Sequence, residues 1–364
     1  MNTKTSEVQR RNARMQQRDK AIIPGPKYFI ILVTTIILIF SFSFAFCAVF
    51  IKQLIDVNAD VDVNDVDPPT NSVEGPINPT IPKRQSYISK TSSSSSNVGN
   101  QIRSSNVILV DLSTYESIAE KGADEIIYPA SMTKVMSILV VCERARNLNK
   151  KLKVTKDIAD YAARMGGSGF LSGKTNLDDQ LTVRDLLYLT SYYSDTIAVI
   201  MLARHIAGSE EKFVKLMNDK AKSLGLKNTN FDNCTGLHSE NNYSTCREIA
   251  AIMAYALDNS LCRQILTSTS VYKISTNSNN YTLWYPSWYG PDRFAQKNKL
   301  ENVTVKGGKT GYIDESGVCL VSYAEGNGNL KRYIQVIVGL PKGSGLTEAD
   351  STREVKFVYN NYAE

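Results

Sequence analysis

A serine and a lysine three residues apart form the pattern with the clearest chemical use in this 364-residue chain. Ser131 and Lys134 follow Pro129, whose fixed φ suits the first turn of a helix. Positions i and i+3 of a helix share one face, about 5–6 Å apart at Cβ, so the lysine amine can reach the serine hydroxyl. Serine becomes a nucleophile when a neighbouring base takes its proton. The pair therefore predicts an acylating serine that needs no histidine.

The same spacing occurs twice more, where other interpretations are favoured. Ser209 precedes two glutamates and then Lys212, a pattern typical of a helix N-cap with an acidic first turn. Ser270 and Lys273 lie in a short β-branched run that predicts a strand. Spacing alone therefore does not distinguish Ser131, and the motifs further along the chain must do so.

Two further motifs follow this pair along the chain. Residues 194–196 are Ser-Asp-Thr, and residues 309–311 are Lys-Thr-Gly. Together with Ser131-x-x-Lys134 they resemble the motif set of the penicilloyl-serine transferases. The segments YPASMTK, LTVRDLLYL, NCTGL and KGGKTGYIDESGVCLV are similar to the low-molecular-mass, S11-type D-alanyl-D-alanine carboxypeptidases. The resemblance covers about residues 104–364, and the three coinciding motifs make it specific.

The resemblance implies a role for each residue of the first two motifs. Ser131 would attack the carbonyl between two D-alanines and form an acyl-enzyme, with Lys134 as its general base. That role needs a neutral amine, and hence a pKa lowered by burial and nearby cations. Ser194 would pass a proton to the leaving amine. Without the resemblance, Ser194 also suits the N-cap of the helix that follows it.

The resemblance also implies that the third motif would bind the terminal carboxylate of the substrate. Lys309 would hold it and Thr310 would add a hydroxyl contact, while Gly311 has no Cβ and lets the substrate backbone approach. The backbone N–H groups of Ser131 and Tyr312 would form the oxyanion hole. An ordinary exposed hairpin could carry the same residues, so the assignment depends on the other motifs.

One residue departs from the family pattern. Thr196 occupies the third position of the second motif, where the family usually has asparagine. Asparagine can donate to and accept from a substrate amide, whereas threonine offers one shorter hydroxyl. Thr196 is therefore a candidate substrate contact whose effect would be slower acylation or a changed substrate preference.

Several functions are compatible with these motifs. The leading prediction is a carboxypeptidase that acts on peptidoglycan stem peptides ending in D-Ala-D-Ala, is acylated by penicillins and uses no cofactor. A β-lactamase would share the motifs, but no Glu-x-x-Leu-Asn pattern lies between Ser194 and Lys309. A weakly active or non-catalytic wall-binding homologue would result if Thr196 stops turnover. Carboxypeptidase and cross-link endopeptidase reactions present a D-alanine carbonyl to the same serine, so the sequence does not separate them.

The periodicity predicts the elements that position these residues. Residues 106–111, 303–306, 319–322 and 335–339 form apolar runs typical of strands, and residues 132–141, 183–189, 196–207 and 347–359 are typical of helices. The resemblance implies an α+β fold like that of DD-peptidases and β-lactamases. It has a mainly antiparallel sheet with helices on both faces, plus an all-helical subdomain that holds Ser194.

The N-terminal part predicts a membrane anchor. Residues 1–27 hold seven Lys or Arg against two acidic residues, and residues 28–51 contain no charged side chain. A 24-residue helix is about 36 Å long, enough to cross a bilayer, and the basic flank indicates a cytoplasmic N-terminus with an extracellular catalytic domain. A cleaved signal peptide would have a shorter apolar core, and a lipidated Cys47 would follow a small residue rather than Phe46.

Residues 52–103 are expected to be a disordered linker to the catalytic domain at residues 104–364. The segment begins with Asp residues among small apolar ones, continues with a Pro-rich stretch and ends with a run of serines at residues 92–96. Such a composition has little apolar surface to bury.

The remaining composition excludes other kinds of site. The chain has two histidines, His205 and His238, so its composition argues against a zinc site and a Ser-His-Asp triad. The basic N-terminal segment is explained by membrane orientation rather than by nucleic-acid binding. His238 could line a cleft, and the aromatic stretch at residues 281–289 is either a carbohydrate-facing ledge or, more simply, packing.

Overall fold

The computed structural model describes residues 86–167, 169–284, 300–340 and 348–363. The basic segment 1–27 and the membrane helix expected at residues 28–51 lie outside these ranges. Among the described helices, none is long and apolar enough to cross a membrane.

The central element is a six-stranded sheet. The described strands are β1 Lys90–Asn97, β2 Asn106–Asp111, β3 Glu116–Lys121, β4 Lys151–Lys153, β5 Gln180–Thr182, β6 Tyr272–Ser275, β7 Asn280–Leu283, β8 Val303–Ile313, β9 Gly317–Gly326 and β10 Arg332–Leu340. The sheet order is β1-β3-β2-β10-β9-β8, while β4–β5 and β6–β7 form separate pairs. Every pairing in the large sheet is antiparallel except that of β1 with β3.

Helices cover both faces of this sheet. They are α1 Lys134–Arg144, α2 Lys156–Arg164, α3 Leu171–Lys174, α4 Val183–Tyr192, α5 Thr196–Ala207, α6 Glu210–Ser223, α7 Cys246–Asp258, α8 Ser260–Thr267 and α9 Glu348–Tyr362, with 3-10 turns at Gly99–Gln101 and Ala130–Thr133. The α+β architecture with a largely antiparallel sheet agrees with the expectation from sequence.

Strand β2 shows why the sheet is covered twice. All six of its residues are buried, and the four between Asn106 and Asp111 form a continuous apolar run instead of an alternating one. Val107 and Leu109 point into the smaller apolar cluster, which includes side chains of α9. Ile108 and Val110 point into the larger cluster, which includes α1 and α7. Alternate side chains of β2 therefore pack into different apolar clusters on the two faces of the sheet.

The helix that follows residues 194–196 is fixed at both ends by its own sequence. Asp195 is its N-cap, and its carboxylate accepts from the backbone N–H of Ala198 at 2.9 Å. Gly208 ends it in the left-handed conformation with φ of +83°. The preceding helix α4 begins with a reciprocal capping box between Thr182 and Asp185.

Residues 86–103 correct the expected boundary of the linker. Strand β1 lies within this segment and pairs in parallel with β3. Val98 and Ile102 are buried in the smaller cluster. The guanidinium of Arg247 also donates to the carbonyl oxygen of Ser89 and to the hydroxyl of Thr91. The folded domain therefore starts before residue 104, while residues 52–85 lie outside the described ranges.

Candidate active site

Ser131 lies on the 3-10 turn Ala130–Thr133, and the α-helix proper begins only at Lys134. In a 3-10 turn, side chains at i and i+3 eclipse each other, which brings this serine and lysine closer than an α-helix would. The Lys134 Nζ donates to the Ser131 Oγ at 3.0 Å. The geometry thus places an amine within proton-transfer distance of a hydroxyl.

Lys134 is almost completely buried, with 2 % of its surface exposed. Burial lowers its pKa to about 8, against the opposing influence of Cys234 and Asp195. Its Nζ also donates to the carbonyl oxygen of Thr235 at 2.5 Å. A sizeable fraction of this amine is therefore neutral near physiological pH, and the neutral amine can accept the proton of Ser131.

The loop that supplies the Thr235 carbonyl has no assigned role at the level of sequence. The Asn233 Oδ1 accepts from the backbone N–H groups of Thr235 and Gly236, which closes an Asx turn. Gly236 has φ of +77°, and a Cβ there would overlap the carbonyl of Ala130. The Asn-Cys-Thr-Gly sequence of this loop predicts a turn. It does not predict that the backbone carbonyl of Thr235 orients Lys134.

Ser194 lies on the other side of the site in a strained conformation. Its φ is +55°, which is uncommon for a residue other than glycine. Its Oγ is buried and has no hydrogen-bond partner within the described residues. The adjoining Asp195 accepts from the backbone N–H of Leu171 at 2.7 Å, and burial raises the pKa of this carboxyl to about 6. A buried hydroxyl without a partner is suited to bonding a ligand.

Thr196 is buried at the first position of α5. Its γ-methyl packs so closely against Gly167 that a Cβ on the glycine would overlap it. The γ-methyl branch of Thr196 therefore contacts the segment that precedes α3. An asparagine has a planar amide in its place and would contact this segment differently.

Strand β8 forms the opposite wall. It is the edge strand of the sheet and contacts the 3-10 turn that carries Ser131. A Cβ at Gly311 would lie 2.9 Å from the Ala130 Cβ and 3.0 Å from the backbone nitrogen of Ser131, so a larger residue here would push the strand and the turn apart. The sequence predicted β runs at residues 303–306 and 319–322, with residues 309–311 between them. Both runs lie in strands, β8 and β9, and β8 extends through residues 309–311 to Ile313.

Lys309 is a second buried lysine, with 1 % of its surface exposed. Its Nζ donates to the carbonyl oxygen of Thr310 at 2.9 Å and to the Thr310 hydroxyl at 3.4 Å. Burial and the nearby Lys134 hold the pKa of Lys309 well below its ordinary value. Tyr312, two residues after Thr310, is 39 % exposed, and its hydroxyl donates to Asp314 at 2.6 Å.

The two competing Ser-x-x-Lys pairs have structural roles. The Ser209 hydroxyl accepts from the backbone N–H of Lys212 and caps α6, as the sequence predicts. Lys273 lies on strand β6, also as predicted. In the aromatic stretch, Tyr281 packs edge-to-face on Phe170, which supports the packing interpretation for that residue. Residues 285–289 of the stretch lie outside the described ranges.

Comparisons with known proteins point to one family. Residues 90–341 match the family model described as D-alanyl-D-alanine carboxypeptidase. The D-alanyl-D-alanine carboxypeptidase DacF of Bacillus subtilis is 32 % identical over 265 residues, which cover 70 % of this chain and 62 % of DacF. The D-alanyl-D-alanine endopeptidase of Escherichia coli is 31 % identical over 245 residues, which cover 66 % of this chain and 73 % of that protein.

Solved structures agree with these matches. The crystal structure of the Streptomyces K15 DD-transpeptidase superposes with a TM-score of 0.60 at 25 % identity, covering 71 % of this chain and 97 % of that one. Penicillin binding protein 5 from Haemophilus influenzae gives a TM-score of 0.58 at 27 % identity, covering 71 % of each chain. The chain spans less than two thirds of the length of DacF.

Proposed function

Because the chain belongs to the D-alanyl-D-alanine carboxypeptidase family, we propose that it removes the terminal D-alanine from peptidoglycan stem peptides ending in D-Ala-D-Ala. The observation that carries this proposal is the contact of 3.0 Å between the Ser131 hydroxyl and the desolvated amine of Lys134. Such an arrangement activates a serine without a histidine.

Acylation begins when the neutral amine of Lys134 takes the proton of the Ser131 hydroxyl. The Oγ forms a bond to the carbonyl carbon between the two D-alanines, and the carbonyl oxygen becomes an oxyanion. The backbone N–H groups of Ser131 and Tyr312 stabilise that charge. Collapse of the intermediate breaks the C–N bond, and the leaving amine takes a proton through the Ser194 hydroxyl. Water then hydrolyses the ester on Ser131 and frees the shortened peptide.

The terminal carboxylate of the substrate binds to the third motif. The side chains of Lys134 and Lys309 are both buried, and among the described residues Lys309 bonds Thr310 and no carboxylate. Burial disfavours the charged form of Lys309, and an anionic ligand beside it would favour that form again. Thr310 adds a hydroxyl to the same carboxylate, and Thr196 borders the cleft on the opposite side.

A cross-link endopeptidase is the second candidate function. The relative from Escherichia coli is named a D-alanyl-D-alanine endopeptidase, and both reactions deliver a D-alanine carbonyl to a serine. β-Lactam antibiotics present a strained amide in place of that peptide bond and would acylate Ser131. No observation on the described residues favours a β-lactamase.

Anchoring at the cell membrane completes the proposal. Residues 28–51 would span the bilayer once, with residues 1–27 in the cytoplasm and the catalytic domain outside. The support is the uncharged segment and the basic flank before it. This topology would bring the catalytic domain to the compartment that contains peptidoglycan.

A fluorescent penicillin tests the nucleophile. The wild-type chain should be labelled covalently, and Ser131→Ala should abolish the label because the ester cannot form. Ser270→Ala is the matched control, since it removes an exposed serine with the same spacing to a lysine. Equal labelling of the Ser131→Ala variant would refute the assignment. Release of D-alanine from a peptide ending in D-Ala-D-Ala, measured on the same preparations, then tests the substrate.

A further inference from the structure

Glu210, on the first turn of α6, bonds the loop that orients Lys134. Its Oε1 accepts from the backbone N–H of Cys234 at 3.1 Å and from the Cys234 thiol at 3.2 Å. Cys234 directly precedes Thr235, whose carbonyl oxygen accepts from the Lys134 Nζ. The carboxylate and the lysine therefore bond adjacent residues of one loop.

The groups that face the Glu210 carboxylate are donors. The Cys234 thiol is fully buried, and burial raises its pKa well above the ordinary value, so the thiol stays protonated and donates. Tyr161 on α2 also faces Glu210, and burial followed by its hydrogen bond to Glu210 raises the pKa of Tyr161 to about 12. Both groups are neutral at ordinary pH, which leaves the carboxylate as the acceptor that holds the loop.

Glu210 links this loop to a second helix. The hydrogen bonds of the Asn233 side chain run within the loop itself. The Ser137 hydroxyl donates to the Cys234 carbonyl oxygen at 2.7 Å, but Ser137 lies on α1, the helix that begins with Lys134. The Glu210 carboxylate comes from α6, so it fixes the loop from outside the helix that carries the lysine.

Resting on the proposed function, we propose that Glu210 is a positioning residue for Lys134. By holding the Cys234 peptide group, it fixes the carbonyl oxygen of Thr235. That oxygen lies 2.5 Å from the Lys134 Nζ, which in turn lies 3.0 Å from the Ser131 Oγ. Proton transfer requires the two heavy atoms to lie within about 2.6–3.2 Å of each other. A movement of the loop would take the amine out of this range, and acylation would slow.

The kinetics of penicillin labelling test this role. The second-order rate constant for acylation is measured at a pH above the Lys134 pKa, together with the fraction of protein that becomes labelled. In Glu210→Ala the rate constant should fall about tenfold or more, the effect of losing a hydrogen bond to a charged group. Glu210→Gln keeps an oxygen acceptor for the Cys234 N–H, so its rate constant should stay within about twofold of the wild type.

Glu211→Ala is the matched control. Glu211 is exposed, lies on the same first turn of α6 and bonds Ser209. Each alanine variant removes one acidic side chain from the N-terminus of this helix, so both lose a similar interaction with the helix dipole. Glu211→Ala should keep the wild-type rate constant, and equal slowing by the two alanine variants would overturn the positioning role.

The pH profile of acylation separates positioning from folding. A carbonyl acceptor stabilises the protonated amine, so displacement of this acceptor in Glu210→Ala should shift the midpoint of the profile to lower pH. Cys234, Asp195 and Lys309, the titratable groups coupled to Lys134, are unchanged in this variant. A purely structural role would lower the labelled fraction and leave the rate constant and the midpoint of the labelled molecules unchanged.

The outcomes separate this inference from the proposed function. Labelling of Glu210→Ala with the rate constant of the wild type overturns the positioning role, whatever the labelled fraction, and leaves the assignment of Ser131 standing. If penicillin does not label the wild type, the proposed function fails and the positioning role fails with it.

Discussion

At the scale of single residues, the site is defined by two lysines that are both withdrawn from water. Lys134 bonds the Ser131 hydroxyl at 3.0 Å, whereas among the described residues Lys309 bonds Thr310 alone. Burial lowers the pKa of Lys134, and Cys234 and then Asp195 oppose this change. The pKa of the Asp195 carboxylate is itself raised to about 6 by burial. No such carboxylate acts on Lys309 among the described residues, and burial together with Lys134 holds its pKa well below the ordinary value.

The pKa of Lys134 predicts the pH dependence of acylation. Because the base must be neutral and burial lowers this pKa to about 8, the neutral fraction falls as the pH drops below that value. The second-order rate constant for acylation by penicillin should rise about tenfold for each pH unit below the pKa and level off above it. Stopped-flow measurement at constant ionic strength gives this profile. A profile without change between about pH 6 and pH 8 would contradict the assignment of Lys134 as the base.

Thr196→Asn tests the departure from the family pattern. Asparagine adds a donor and an acceptor beside the substrate amide, so kcat/KM for a D-Ala-D-Ala peptide should rise by about tenfold, the effect of one good hydrogen bond. Thr196→Val is the matched control, because valine keeps the methyl that packs against Gly167 and removes only the hydroxyl. Slower turnover by Thr196→Asn would show that the cleft of this protein requires threonine at position 196.

At the scale of elements, close approach of two backbones holds the 3-10 turn that contains Ser131 in place. Gly236 and Gly225 have the same φ of +77°, but only at Gly236 would a Cβ overlap another residue, the carbonyl of Ala130. Gly225→Ala should therefore cost about 1 kcal/mol, the cost of the left-handed conformation alone. Gly236→Ala should cost about 3 kcal/mol or more and also slow acylation of Ser131, because the 3-10 turn must move.

Urea denaturation and penicillin labelling measure both effects of the two glycine variants. Gly225 has nothing within 4 Å of its Cβ position, so labelling of that variant should match the wild type. Equal destabilisation by the two substitutions would mean that the loop containing Gly236 moves freely. The Thr235 carbonyl in that loop would then not hold Lys134 in position.

How far the sequence predicted these elements depends on what stabilises each. Helix α5 has an apolar pattern, an aspartate N-cap and a terminal glycine, and its bounds were predicted correctly. Strand β1 was missed because its serines bury little, and its stability comes from pairing with β3 and from Arg247 far along the chain. The bond from Lys134 to the Thr235 carbonyl could not be predicted either. A backbone acceptor has no side-chain signature.

At the scale of the whole molecule, the location of the catalytic domain would decide whether the cleft can bind its substrate. The uncharged segment 28–51 is long enough to cross a bilayer, and because the described fold begins at residue 86, the linker proposed to follow the segment would end near residue 85. A flexible coil of about 34 residues has an r.m.s. reach on the order of 30 Å. The proposed enzyme would therefore act on wall material close to the membrane surface.

Fractionation of cells tests the anchor. The full chain should sediment with membranes, resist extraction by high salt and dissolve in detergent, because a buried apolar helix is not released by screening charges. A variant that begins at residue 86 keeps β1, so it should fold, remain soluble and still bind fluorescent penicillin. Protease added to intact cells without an outer barrier should remove the labelled domain, as the basic flank predicts an external C-terminal part. A full chain in the soluble fraction, or a labelled domain protected from external protease, would contradict the proposed topology.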